Sequence, residues 1–261
     1  MGFGSLSYKD VNTESMQGNY KFDFYPDGIT LDPSMIQKID LSPLTNIHRI
    51  GDNFLTTCWN TPEIILPTLV EGKDKSAPAI GMNFLANTAS LKTIDLSKIS
   101  KIDTIPAGFL AFTESLESVD LTPLSNATGI GSKFMAGSAI KDVDLTKLPN
   151  VTRVGNNFLA KCWQLEKVNM GNIKAEQIAS SWTKDSSPEY YYQEVEPTCF
   201  VMYCEDKQAI NGTNAEAYKY NAPVVTVAAA ELDNYKTRFA NIDNDKQVNT
   251  QYYAVRAVTF Q

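Results

Sequence analysis

The chain has 261 residues, of which 43% are apolar, 10% aromatic and 20% charged, the composition of a folded protein that buries a core. Its 23 basic and 30 acidic side chains leave a formal charge of −7, with no basic concentration beyond Lys73 and Lys75, which disfavours a binder of nucleic-acid phosphates or anionic membranes. No stretch approaches the roughly 20 apolar residues needed to span a bilayer.

The start, Met1-Gly2-Phe3-Gly4, lacks the charged head and apolar run of a signal peptide. That fits a cytosolic protein or a mature form whose export signal has been trimmed. Further on, Tyr20-Lys21-Phe22-Asp23-Phe24 alternates apolar and polar, then meets Tyr25-Pro26-Asp27-Gly28 and Ile29-Thr30-Leu31. This reads as a hairpin around a Pro-Asp-Gly turn, and residues 1–35 are expected to form an N-terminal cap.

A repeat begins at about residue 36. Ile50-Gly51-Asp52-Asn53-Phe54-Leu55 recurs as Ile80-Gly81-Met82-Asn83-Phe84-Leu85, Ile105-Pro106-Ala107-Gly108-Phe109-Leu110, Ile130-Gly131-Ser132-Lys133-Phe134-Met135 and Val154-Gly155-Asn156-Asn157-Phe158-Leu159. The Phe positions are separated by 30, 25, 25 and 24 residues. A second string keeps step: Ile39-Asp40-Leu41, Ile64-Ile65-Leu66, Ile94-Asp95-Leu96, Val119-Asp120-Leu121, Val143-Asp144-Leu145 and Val168-Asn169-Met170. It alternates as a half-buried strand does, and Ser97, Thr122 and the prolines Pro43 and Pro123 begin turns after it. The Phe-Leu pair opens a short helical or irregular segment on the opposite side. The longer second unit comes from the polar stretch between Leu69 and Pro78, either a surface insertion or a contact loop. One unit of about 25 residues buries too few side chains to offset the ordering of its backbone, so the units must stack.

The pattern resembles the BspA-like leucine-rich repeats of bacterial surface proteins, whose unit runs Ile-Gly-x-x-Ala-Phe-x-x-Cys-x-x-Leu-x-x-Ile-x-Ile-Pro. Ile50-Gly51, Phe54-Leu55, Cys58 and Ile64-x-Leu66-Pro67 fall in that frame, as do Val154-Gly155, Phe158-Leu159, Cys162, Leu165 and Val168-x-Met170. Here Phe-Leu stands for Ala-Phe, and Thr88, Thr113 or Ser138 takes the Cys place. The resemblance covers about residues 36–173. It implies an α/β repeat, a right-handed leucine-rich-repeat solenoid of five to six units of 24–25 residues with capped ends. It also implies an exported or surface-exposed adhesive protein.

Beyond residue 173, Val224-Val225-Thr226-Val227 followed by Ala230–Lys236 reads as a strand then a helix, and Tyr252–Phe260 as a final strand. The strand-then-helix resembles the terminal segment of BspA-like arrays, so residues 174–261 are expected to be a repeat remnant forming a C-terminal cap, with a small second domain as the alternative.

The candidate binding residues form three groups. Asp95, Asp120 and Asp144, with Asp40 before and Asn169 after, form a column about 5 Å apart in a stacked array. A bound cation or a cationic ligand would offset their mutual repulsion; alternatively Lys38, Lys92, Lys141 and Lys167 neutralise them, or each Asp bonds its own turn. Trp59 and Trp163 share one slot, and Tyr190, Tyr191 and Tyr192, near Trp182, form the densest aromatic patch. Either group suits a sugar or protein contact, or simply packs. Cys58 and Cys162 lie too far apart for a disulfide and read as buried small apolar residues, while Cys199 and Cys204 read as free thiols. His48 is the only histidine, so Cys and His supply no metal site. No catalytic or cofactor motif is present. The expectation is a non-catalytic monomer without cofactor or metal, binding a protein or alternatively a glycan.

Overall fold

The computed structural model describes residues 36–56, 58–70, 79–179, 200, 223–239 and 258–261, together with the backbone of 22–23, 30–31, 202–204 and 253–255. The expected hairpin is seen in its strands: β1 (Phe22–Asp23) pairs antiparallel with β2 (Thr30–Leu31).

The repeats lie parallel and in register. β3 (Lys38–Asp40) pairs with β4 (Glu63–Ile65), Ile39 opposite Ile64. β5 (Asp142–Asp144) pairs with β6 (Lys167–Asn169), and β6 with β8 (Val224–Thr226). In the units between, residues 91–96 and 116–121 keep the alternation, with Leu91, Leu96, Leu116 and Leu121 buried and Asp95 and Asp120 exposed. Neither segment is a strand, so the expected strands at 94–96 and 119–121 do not close a ladder. Those units are joined along two other lines.

The first line is the Ile of each Ile-Gly pair. Ile50 bridges Ile80 in parallel, Ile105 bridges Ile130, Ile130 bridges Val154, and Val154 bridges Ile178. Where Gly81, Gly131 and Gly155 follow, neighbouring backbones come so close that a side chain has no room, whereas Gly51 is open and Pro106 and Ala179 stand in the same place in their units. A Cβ on Gly131 would sit 2.4 Å from the Ala107 nitrogen, and one on Gly155 2.4 Å from the Ser132 nitrogen.

The second line is the Phe-Leu turn, where the irregular alternative holds. The residues before and after each Phe have positive φ, as at Asn83 (57°) and Leu85 (54°) or Lys133 (59°) and Met135 (49°). For a leucine this costs about 1–2 kcal/mol. The conformation turns successive N–H groups to alternate neighbours: Leu110 N–H donates back to Phe84 O (3.0 Å), and Phe112 N–H forward to Ala136 O (2.6 Å). Each such bond contributes about 0.5–1.5 kcal/mol net, and each fully buried Leu about 1.5–3 kcal/mol, so the strain is outweighed. The Phe rings stack in a spine from Phe54 through Phe84, Phe109 and Phe134 to Phe158, with centroids 5.2–6.0 Å apart and planes within 14°.

After the strand segments of three successive units the chain takes a 3-10 turn, Ser97–Ile99, Thr122–Leu124 and Leu145–Lys147, each burying one aliphatic side chain. Among the described residues, the helical part of the expected α/β repeat is therefore 3-10. The α-helix described, α1 (Leu232–Arg238), follows β8.

Beyond Ala179 the repeat continues in pieces. Ala179 N–H donates to Val154 O as a repeat glycine does, and Phe200 N–H donates to Phe158 O (2.9 Å) as a repeat leucine does. Phe200 also has that leucine's positive φ, 61°. Its ring meets Phe158 edge-on. β8 then supplies the strand of this sixth unit, with Val225 opposite Val168. The long stretches 180–199 and 205–222 interrupt it. β7 (Met202–Cys204) pairs antiparallel with β9 (Tyr253–Val255), while β10 (Thr259–Phe260) lies parallel beside β8, so the expected final strand is two strands. Buried Tyr235 of α1 donates from its hydroxyl to Ile173 O (2.9 Å), locking the helix onto the fifth unit.

Candidate functional site

The strand-side face presents the aspartates. Asp40, Asp95, Asp120 and Asp144 are exposed, and each accepts at Oδ1 from the backbone N–H two residues on: Ser42, Ser97, Thr122 and Thr146, at 2.8–3.1 Å. Asn169 does the same with Gly171 N–H at 3.0 Å. The column is thus made of residues that bond their own turns, one of the alternatives open at the sequence level. The residue type follows from the local need for a short acceptor at the strand end.

The hydroxyl and N–H of Ser42 hold the Asp40 carboxyl below its ordinary value, and those of Thr122 do so for Asp120. The Ser97 N–H and then its hydroxyl act likewise on Asp95, against the nearby charge of Asp120, which pushes it up. Lys38 pairs with Glu63 (2.7 Å) and Lys141 with Glu117 (2.5 Å); the charge of Lys38 also lowers Asp40 a little, as those of Lys98 and Lys147 lower Asp95 and Asp120. The ammonium pKa values of Lys38 and Lys141 are raised, each chiefly by the hydrogen bond to its glutamate. In register, Asp40 lies opposite Ile65 and Asp144 opposite Asn169. The charged run is therefore Asp95, Asp120 and Asp144, with one oxygen of each carboxylate engaged. Among the described residues no three His, Cys, Asp or Glu side chains converge as a metal set.

Trp59 and Trp163 are both exposed, at 54% and 40%. Between them the slot is filled by Ala89, Glu114 and Ala139. At about 4.8 Å per unit the two indoles stand roughly 19 Å apart along the array, which makes two separate contacts rather than one platform. Tyr190, Tyr191, Tyr192 and Trp182 lie outside the described residues, as does Cys199.

The cysteine slot is interior. Thr88 and Thr113 are buried there and donate to Leu85 O (2.8 Å) and Leu110 O (2.9 Å), using carbonyls of the left-handed turn. Buried Cys162 donates to Met135 O (3.1 Å) and lies 3.7 Å from the Ser138 hydroxyl. Burial pushes its thiol up to about 11 and raises that of half-buried Cys58. Neither is poised as a thiolate nucleophile.

Two features escaped the sequence reading. Phe112 remains 36% exposed, and its ring lies where a Cβ on Gly137 would be, 2.5 Å from the nearest ring carbon. An open depression of about 400 Å³ is lined by Gln37, Asn60, Pro62, Ser90, Lys92 and Ser115. The only trace of it in the sequence is a polar residue immediately after the Trp slot in three successive units, Asn60, Ser90 and Ser115.

A comparison with protein families matches residues 78–187 to the BspA type leucine rich repeat region, in six copies. This stretch, 110 of the 261 residues, is similar to the repeats of that family. The match starts with the unit of Ile80, yet the preceding unit joins the matched array through the Ile50–Ile80 bridge, and β3 and β4 pair in the same parallel way. Its end falls among residues 180–187, inside the first interruption of the sixth unit. No curated protein and no solved structure matches the chain.

Proposed function

We propose that this chain is a non-catalytic interaction module, exported or displayed at a cell surface, which binds a protein partner through its strand-side face and adjoining loops. The observation that carries the reading is the exposed run Asp95, Asp120 and Asp144 on a face held rigid by the Phe spine and the turn ladder. Held carboxylates lose little side-chain freedom on binding and select a basic surface. The similarity of residues 78–187 to the BspA-type family supports the surface role and the export. No helix among the described residues is long and apolar enough to cross a membrane. We further propose a right-handed solenoid and a monomer, with residues 1–35 capping one end, 36–173 forming the array and 174–261 closing the other.

The test uses Asn in place of Asp, because Asn169 already makes the same turn bond. The triple variant D95N/D120N/D144N keeps the fold and removes three charges. Screened by biolayer interferometry against extracellular-matrix proteins, the native chain should show saturable binding that weakens with salt and falls at least tenfold in the triple variant. Protein binding indifferent to both changes would overturn the aspartate face as the contact.

A second reading, a saccharide-binding module using Trp59, Trp163, Tyr190, Tyr191 and Tyr192, is favoured by the exposure of the two indoles. An exposed indole offers a flat apolar face to sugar C–H groups.

A further inference from the structure

We infer that the depression beside Trp59 is a binding site for a neutral oligosaccharide; this rests on the saccharide reading above and gives it a place. The lining residues come from four successive units: Gln37 just before β3, Asn60 and Pro62 before β4, Ser90 and Lys92 in the next unit, and Ser115 in the one after. Asn60, Ser90 and Ser115 hold the same place in their turns. The residue after each, Thr61, Leu91 or Leu116, donates its N–H to the carbonyl of the slot residue Cys58, Thr88 or Thr113 (3.0–3.2 Å). The stacking of the repeats thus lines three short polar side chains in a row. Three inter-unit steps span roughly 14 Å, the length of a short oligosaccharide rather than one sugar ring.

The chemistry of the lining selects the ligand. It consists of two amides, two hydroxyls, one ammonium and one proline, which together offer donors and acceptors without a carboxylate or a large apolar group. Such a set matches a ligand dense in hydroxyls. Trp59, 54% exposed, directly precedes Asn60, and its carbonyl accepts from Ser90 N–H (3.0 Å), so the backbone that carries the indole is fixed next to two lining residues. Lys38 and Lys141 are tied to Glu63 and Glu117, whereas Lys92 makes no ion pair among the described residues and keeps its three donors for a ligand. Exposed Asp95 beside the site and a net charge of −7 repel a polyanion. The sugar is therefore uncharged.

Calorimetric titration of the full chain with neutral oligosaccharides (gluco-, manno-, galacto- and chito-oligomers) tests this. Binding to at least one of them should weaken about tenfold or more in Trp59→Ala and in Lys92→Met, and also fall in Asn60→Ala. Trp163→Ala should bind as the native chain does. All four side chains are at the surface, and an unchanged thermal midpoint shows that each variant folds. Sugar binding that survives Trp59→Ala and Lys92→Met but disappears in Trp163→Ala or Tyr191→Ala overturns this site and leaves the saccharide reading standing. Failure of the native chain to bind any of these sugars up to millimolar concentration overturns both.

Discussion

At the scale of single residues, most of the polar side chains that repeat are spent on the backbone. Asp120 is a clear case: its Oδ1 satisfies Thr122 N–H, which starts the 3-10 turn Thr122–Leu124. Asp120→Asn should leave the thermal midpoint nearly unchanged, while Asp120→Ala should lower it, because a turn N–H loses its acceptor. Acid should do the same to the native protein. The folded carboxyls of Asp40, Asp95 and Asp120 sit below their ordinary value. Their stabilisation is thus full above the unfolded value of about 4 and is lost as pH falls through the lowered folded values. Thermal melts from pH 6 down to pH 2 should show the decline, and it should be shallower in a D40N/D95N/D120N variant.

Cys162 has the opposite sign. Its folded thiol is raised to about 11 by burial, so its contribution is present below the unfolded value of about 8.5 and is lost as pH climbs toward the folded one. Iodoacetamide at pH 8 should therefore leave Cys162 unmodified in the folded chain and modify it rapidly in urea, read by mass spectrometry of the peptide. Cys162→Thr should remain folded, since Thr88 and Thr113 already occupy that slot in neighbouring units. Rapid native labelling of Cys162 would show that the slot opens.

At the scale of elements, the Phe spine and the left-handed turn around it are one device. Phe109 is fully buried between Phe84 at 5.2 Å and Phe134 at 6.0 Å, so Phe109→Ala removes ring contacts on both sides and should cost about 3–5 kcal/mol in urea unfolding. Phe54 is half-buried and contacts one repeat ring, Phe84, so Phe54→Ala should cost clearly less. Equal losses would mean that the rings do not act as a stack. The sequence made the spine easy to see, since Phe54, Phe84, Phe109, Phe134 and Phe158 hold phase with a second marker. It did not make the turn visible. Nothing in the residue type of Leu110 or Met135 signals positive φ; that conformation exists because a carbonyl of the preceding unit waits for the N–H, as Phe84 O does for Leu110. The same holds for the depression at Ser90 and Lys92, which only the alignment of four units creates.

At the scale of the molecule, local markers lost the thread where the spacing changed. The sixth unit was legible only as a remnant, in the strand and helix after residue 223, because its pieces, Ile178–Ala179, Phe200 and Val224–Thr226, are split by long stretches, and a search for a 25-residue phase passes over the first two. Register in space shows them to be one unit. An array joined only through neighbours should accept the loss of a whole period and reject the loss of half of one. Deleting residues 106–130, 25 residues, joins Ile105 to Gly131 and brings Phe134 against Phe84 in the original phase. That chain should unfold in one cooperative step at a lower urea midpoint. Deleting residues 106–117, 12 residues, removes Phe109 and leaves its strand segment without a turn to follow, and should abolish the cooperative transition. If both deletions unfold the chain alike, contacts beyond the nearest unit hold it together, and the stacking argued from the Ile bridges, the Phe rings and the alternating N–H bonds is not what carries its stability.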